Sequence, residues 1–227
     1  MAPSRRRWLP LLAFAAGLAA RPLPAAEPPR YAFDPVHTRV MFAIDHAGFS
    51  KAIGTVSGST GSLRFDPADW TTARLDVRVP MQRLDMGDSG WAAAVFAPRF
   101  LDVRRYPEAR FVAADIRRQD ERHGTACGTL TLHGVTRPLC MAVVMNRIGR
   151  YPLPPFRRTV GFSARASLRR SEFGMTRWLS LVGDEVELRI EAELFRSDAG
   201  ADADDAPPAP PAPIDDDATG EPAHAEP

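Results

Sequence analysis

Val186-Glu-Leu188-Arg-Ile190-Glu-Ala192-Glu-Leu194 alternates without exception between apolar and charged residues. Side chains along a strand point to opposite faces, so this stretch turns one apolar face inward and one charged face to water. As a helix it would spread the same charges all round the axis, with no apolar stripe. The period of two recurs upstream. Val160, Phe162, Ala164, Ala166 and Leu168 alternate with Gly161, Ser163, Arg165, Ser167 and Arg169. Ala73, Leu75, Val77 and Val79 alternate with Arg74, Asp76 and Arg78, and Val40, Phe42 and Ile44 with Arg39, Met41 and Ala43. Leu63 and Phe65 flank Arg64.

Further strands are expected near 53–58, 109–117, 125–132 and 137–146. His133-Gly134-Val135-Thr136 reads as the hairpin turn between the last two. Gly58, Gly61, Asp66-Pro67 and Tyr151-Pro-Leu-Pro-Pro155 punctuate the others. Trp91-Ala92-Ala93-Ala94-Val95-Phe96 breaks the pattern and predicts a short helix, capped by Asp88 or Ser89 and ended by Pro98. The expected fold is therefore all-β: an eight-stranded, mostly antiparallel barrel with one short helix, preferred to a sandwich because closure removes exposed edges. Such a barrel has room for packed side chains or for one ligand. Ala73, Ala164, Ala166 and Ala192 on the inward stripes either leave space or match bulky neighbours, and periodicity does not choose between these.

The chain's near-neutral charge conceals three regions. There are 29 Lys+Arg and 28 Asp+Glu, a formal net charge of +1. Residues 1–26 hold four arginines and no acid, and 198–227 hold nine acids and no Lys or Arg, which leaves 25 basic and 19 acidic residues in 27–197. That balance excludes a polybasic nucleic-acid binder. Arg5-Arg6-Arg7, the apolar run Trp8–Ala20 and the Ala-rich exit to Ala26 have the form of a cleavable secretory signal peptide, too short to span a bilayer. Ser4-Arg5-Arg6-Arg7-Trp8-Leu9 fits twin-arginine export as well as the general route. The expected location is the periplasm, with no membrane span in the mature chain. Residues 198–227 carry seven of the 22 prolines and no aromatic residue, so they are expected to form a disordered acidic tail. The folded domain is 27–197.

Several segments also align, in order, with a known family. They are Tyr31-Ala-Phe-Asp34-Pro-Val-His37, Phe42-Ala-Ile-Asp-His46-Ala-Gly48-Phe49-Ser50, Phe100-Leu-Asp102-Val103 and Leu130-Thr-Leu132-His133-Gly134-Val135-Thr136. Arg170-Ser-Glu-Phe173-Gly174-Met175 and Val182-Gly-Asp184-Glu185-Val186 complete the set. Over about 31–196 the chain resembles the YceI-like family of polyisoprenoid-binding periplasmic proteins. The resemblance implies a lipocalin-like barrel whose apolar interior holds a long isoprenoid chain. One stretch departs from it: Gly90–Pro98 lacks the histidine the family usually places before its Phe-x-Asp-Val segment, which implies a more apolar mouth.

The expected function is carriage or sequestration of a long isoprenoid or quinone-like lipid, with no cofactor and no metal; a homodimer stays open. The inward residues assigned to the ligand are Val40, Phe42, Ile44, Leu75, Val77, Phe162, Ala164, Leu188 and Ile190. His46, Phe49, Arg170, Phe173 and Met175 are also assigned to the ligand, with His46 framing a barrel end, Phe173 and Met175 closing one end, and Arg169 and Arg170 as candidates to hold an anionic head group. No Gly-x-Ser-x-Gly elbow, phosphate loop or zinc spacing occurs. Two rivals remain: an enzyme at the mouth with His46 or His133 as general base, and a filled barrel with a stress-protective role. Cys127 and Cys140 flank the hairpin turn. They are diagonal if Leu132 pairs with Arg137 and directly opposite if the register shifts by two, so a disulfide and two buried thiols both stay open.

Overall fold

The computed structural model describes residues 27–197. The signal peptide assigned to 1–26 and the tail assigned to 198–227 lie outside the described residues. Eleven strand segments form one antiparallel sheet: β1 (Arg30–Phe33), β2 (Arg39–His46), β3 (Ser50–Val56), β4 (Thr60–Arg64), β5 (Arg74–Pro80), β6 (Leu84–Asp85), β7 (Glu108–Arg118), β8 (His123–Leu132), β9 (Val135–Arg150), β10 (Arg158–Arg169) and β11 (Val182–Arg196). One helix, α1 (Ser89–Phe96), lies between β6 and β7.

The eleven segments make eight staves. β1 and β2 both pair with β11, at Phe33↔Leu194 and Arg39↔Glu191, so they are one stave broken at 34–38. β3 pairs with β2 and β4 with β1, a second stave broken at 57–59. β5 pairs with β4 and β6 with β3, a third stave broken by a single 3₁₀ turn, Met81–Arg83. The other five staves are continuous, and pairing of β11 with β1 and β2 closes the ring. Consecutive staves are neighbours throughout, so this is the expected eight-stranded barrel, in up-and-down order.

The three breaks lie side by side. Asp34 Oδ1 accepts the N–H groups of Val36 and His37, turning the chain out of the first stave. Gly58 N then donates to Pro35 O across to the second. Gly58 has φ +77°, and a Cβ there would meet Arg83 of the third break at 2.7 Å. Glycine is needed at that position for its left-handed backbone angle, and the Arg83 side chain lies over the space a Cβ would take.

The inward face of the longest ladder repeats the alternation that predicted it. Phe162 faces Ala192, Ala164 faces Ile190 and Ala166 faces Leu188. On the other side of β11, Ile190 faces Val40, Leu188 faces Phe42 and Val186 faces Ile44. The outer face carries the charges: Glu191 pairs with Arg189, and Glu187 with Lys51 two staves away. Exposed pairs of this kind contribute about 0.2–1 kcal/mol each, so the barrel rests on its apolar interior.

The hairpin between β8 and β9 is tighter than the four-residue turn expected. Leu132 pairs with Val135, leaving His133 (φ +51°) and Gly134 (φ +74°) as a two-residue turn with both residues left-handed. This register sets Cys127 directly opposite Cys140, and they are disulfide-bonded with Cα atoms 4.0 Å apart. The pairing of Leu132 with Arg137 is thus corrected.

Candidate functional site

A cavity of about 490 Å³ occupies the barrel interior, and its wall is almost wholly apolar. The filled-barrel reading is therefore not what the structure shows. Every stave contributes to the wall. Its small residues include Ala73, Ala164 and Ala192, of which Ala164 lies opposite Ile190 and Ala192 opposite Phe162. Two other close approaches shape the space. A Cβ at Gly54 would meet the Phe42 ring at 2.5 Å, and one at Gly124 would meet Trp70 at 2.5 Å.

One end of the lumen is plugged. Trp70 sits in a 3₁₀ turn capped by Asp69, whose side chain accepts from Thr71 N. It is 2% exposed and packs edge-on against Phe65 at 5.4 Å; Phe65 in turn meets Phe162 at 5.4 Å. Trp70 Nε1 and Ser59 Oγ are buried polar atoms in the wall with no hydrogen-bond partner in the protein.

The other end opens between three segments: the β2–β3 tip at 46–50, α1 with the residues to Leu101, and the stretch 175–182. Helix α1 starts where expected, with Asp88 Oδ1 accepting Trp91 N at 2.7 Å, and stops before Pro98. Its Trp91, Ala94 and Val95 line the opening. His46 is the one histidine on the wall, 5.7 Å from the Trp91 ring, and no carboxylate lines the cavity. His133 is instead tied to Phe173 O at 2.9 Å and covered by Tyr106. The cavity wall and its mouth therefore do not assemble the converging histidines and carboxylates that the enzymatic reading places there.

The residues assigned from sequence separate into three groups. Val40, Phe42, Ile44, Leu75, Val77 and Phe162 line the cavity, as do Ala164, Leu188, Ile190, His46 and Met175. Phe173 is 2% exposed but packs behind the wall in the core. Phe49 is displaced outright: at the tip of the β2–β3 hairpin, beside the left-handed Ala47 and Gly48, it is 93% exposed. Missed by sequence reasoning were strand residues such as Phe111, Leu130 and Met141, for which no inward face was assigned, and Trp70, Trp91, Phe100, Trp178 and Leu181, contributed by loops and α1, where no period of two marks an inward face.

Arg170 needs a correction of role. It lies on the wall yet is 3% exposed. Its Nε donates to Gly183 O at 2.8 Å, Nη1 to Met175 O at 2.6 Å and Nη2 to Val182 O at 2.7 Å. The Phe100 ring covers it at 5.8 Å. Burial lowers its pKa from the ordinary guanidinium value, opposed by the charge of nearby Asp184. The guanidinium fork is spent on main-chain carbonyls and clamps 175–183 over the opening; it does not wait for a head group. Arg169 points outward, opposite Glu185.

Outside the lumen, ligand-type atoms of Asp34, His37 and Glu193 lie within 4.8 Å of one another. Asp34 already accepts from His37 Nδ1 at 2.8 Å and from two backbone N–H groups, so this grouping holds the first break. Among the described residues no helix is long and apolar enough to cross a membrane.

Comparison with known proteins agrees with the geometry. The model of the YceI-like domain matches residues 31–194. A UPF0312 protein of Pseudomonas savastanoi is 32% identical over 139 residues, covering 61% of this chain and 71% of the relative. A UPF0312 protein of Yersinia enterocolitica is 29% identical, covering 71% of this chain and 82% of the relative. Among solved structures, Burkholderia cenocepacia BcnA superposes with a TM-score of 0.61 at 21% identity, covering 69% of this chain and 95% of that one. A polyisoprenoid-binding domain from Saccharophagus degradans gives 0.55 at 10% identity, covering 74% and 98%. The barrel, its closure and the matched span lead to one assignment: the chain belongs to the YceI-like domain family.

Proposed function

We propose that the protein is an exported, periplasmic carrier or reservoir for one long apolar lipid, of isoprenoid or quinone-like chain, held in the barrel interior. The observation that carries this reading is the cavity of about 490 Å³ with its nearly continuous apolar wall, plugged at Trp70 and open beside Trp91 and Trp178. Burying a hydrocarbon chain there stabilises the complex by about 0.8 kcal/mol per methylene-sized unit, before the cost of ordering the chain. The wall's few polar atoms offer a lipid little besides shape, so a head group remains at the opening. A structural relative from Saccharophagus degradans is described as a polyisoprenoid-binding domain, and the family membership is in keeping with that ligand class.

Titrating delipidated protein with polyprenols of increasing length tests the reading. Affinity should rise with each added unit and level off when the chain fills the lumen. Affinity independent of chain length would count against it.

A further inference from the structure

We propose that the collar of exposed apolar side chains around the cavity mouth docks the protein onto a phospholipid bilayer surface. This inference rests on the carrier reading and adds where the lipid is exchanged.

Nine large hydrophobic residues are exposed among the described residues, and five of them belong to the mouth: Phe49, Trp91, Trp178, Leu179 and Leu181. They form one structure. Ala47 N donates to Leu181 O, joining the β2–β3 tip to the 177–182 stretch. His46 touches Trp91, which brings in α1, and Trp178 packs edge-on against Phe100 at 5.8 Å. Trp91, Trp178 and Leu181 also line the cavity, so the apolar wall runs from the lumen to the outer rim without a polar interruption at these residues. An opening meant only to release its ligand into water would be better served by a polar lip.

Charge selects the occupant. Arg99 stacks over the Trp178 ring at 5.2 Å, and Arg177 precedes Trp178. Neither has an ion pair with a carboxylate among the described residues. The carboxylates of the collar face main-chain donors: Asp45 Oδ1 accepts from Gly48 N and Asp88 Oδ1 from Trp91 N. Tryptophan and leucine at the rim, with arginine beside them, match a bilayer interface, where indole rings sit at head-group depth and guanidinium groups bind phosphate bidentately. A docked collar would let an apolar chain pass between bilayer and lumen without crossing water.

The test uses the protein as processed after export, with loss of the signal segment confirmed by intact mass, in which Trp70, Trp91 and Trp178 are the fluorophores. Vesicles are phosphatidylcholine alone or mixed with phosphatidylglycerol, with brominated acyl chains as quenchers. Expected are quenching of Trp91 and Trp178, its loss in Trp91→Phe/Trp178→Phe where only plugged Trp70 emits, and stronger binding to the anionic vesicles. Phe49→Ser/Leu179→Ser/Leu181→Ser, shown to be folded by circular dichroism, should lower vesicle co-flotation by about tenfold or more. Unquenched rim tryptophans would overturn the proposal, as would co-flotation of the triple variant at wild-type level. So would sedimentation showing that the collar instead closes a dimer which the triple variant breaks. Solvent extraction of the same preparations separates the two readings. A lipid-loaded barrel with an unquenched rim ends the docking proposal alone, and a quenched rim on an empty barrel ends the carrier reading alone.

Discussion

The guanidinium of Arg170 donates to the carbonyl of Val182 at 2.7 Å, across the opening of a cavity that no other buried charged side chain reaches among the described residues. With its bonds to Met175 and Gly183, it fixes the stretch that carries Trp178 and Leu181. Arg170→Met is expected to destabilise the protein by about 2–4 kcal/mol, because one buried and two partly buried carbonyls lose a charge-assisted donor. Arg170→Lys should recover only part of this, since an ammonium cannot present a planar fork to three diverging acceptors. Urea unfolding of the three proteins measures it; equal midpoints would refute the clamp.

The disulfide between Cys127 and Cys140 staples one hairpin on the outer face, away from the lumen. The cysteines are 13 positions apart in sequence. A loop of that length stabilises by about 3 kcal/mol in the chain-entropy account. Cys127→Ser/Cys140→Ser should therefore lower stability by up to about that amount while ligand stoichiometry stays unchanged. Unfolding followed with and without reductant checks the first statement, and lipid extraction the second.

Ala164 faces Val143 on one side and Ile190 on the other, at a point where the wall needs a small side chain. Ala164→Trp is expected to fill the lumen and abolish lipid uptake with the strand content unchanged. Ser163→Trp, one residue away on the outer face, should bind as the wild type does. Uptake by the Ala164 variant equal to wild type would place the ligand elsewhere.

Much of this was legible in the sequence because strict alternation has only one physical solution. Val186 to Leu194 and Val160 to Leu168 could bury their apolar halves only as strands, and both supply the wall. The closing features were not legible, because they sit where the period lapses. Gly58 read as ordinary turn punctuation and Asp34-Pro35 only as part of a family segment, yet they are lateral neighbours that break two staves at one level. Phe49 looked inward by its place in a family motif, but a left-handed turn at Ala47 and Gly48 sends it into solvent. Arg170 looked like a free cation at a strand end; its acceptors come from 175–183, residues distant enough in chain that no local pattern announces them.

The Asp34–His37 contact carries a pH dependence whose sign follows from both partners. The hydrogen bond to Asp34 is the largest influence on His37 and raises it above the ordinary imidazole value, with partial burial opposing. For Asp34 burial is the largest single influence and pushes it up, but the hydrogen bonds from His37 and Val36 together hold it below the ordinary carboxylate value. A raised histidine stabilises fully below its unfolded pKa and stops doing so as pH rises through its folded one. A lowered aspartate stabilises above its unfolded pKa and stops as pH falls through its folded one. The first break should therefore be held best between about pH 4 and pH 6.5. A proton-resonance titration of His37 should give a pKa above about 6.5, returning toward that value in Asp34→Asn. No difference between the two proteins would dismiss the coupling.

The central claim is that the barrel interior holds a lipid chain. Its most direct test is to express the full chain, purify it without detergent, extract it with organic solvent and identify the extract by mass spectrometry beside intact-complex mass measurement. About one long-chain isoprenoid or quinone-like molecule per barrel is expected. A folded, disulfide-bonded protein that yields no lipid, and takes up none when a polyprenol is supplied, would contradict it.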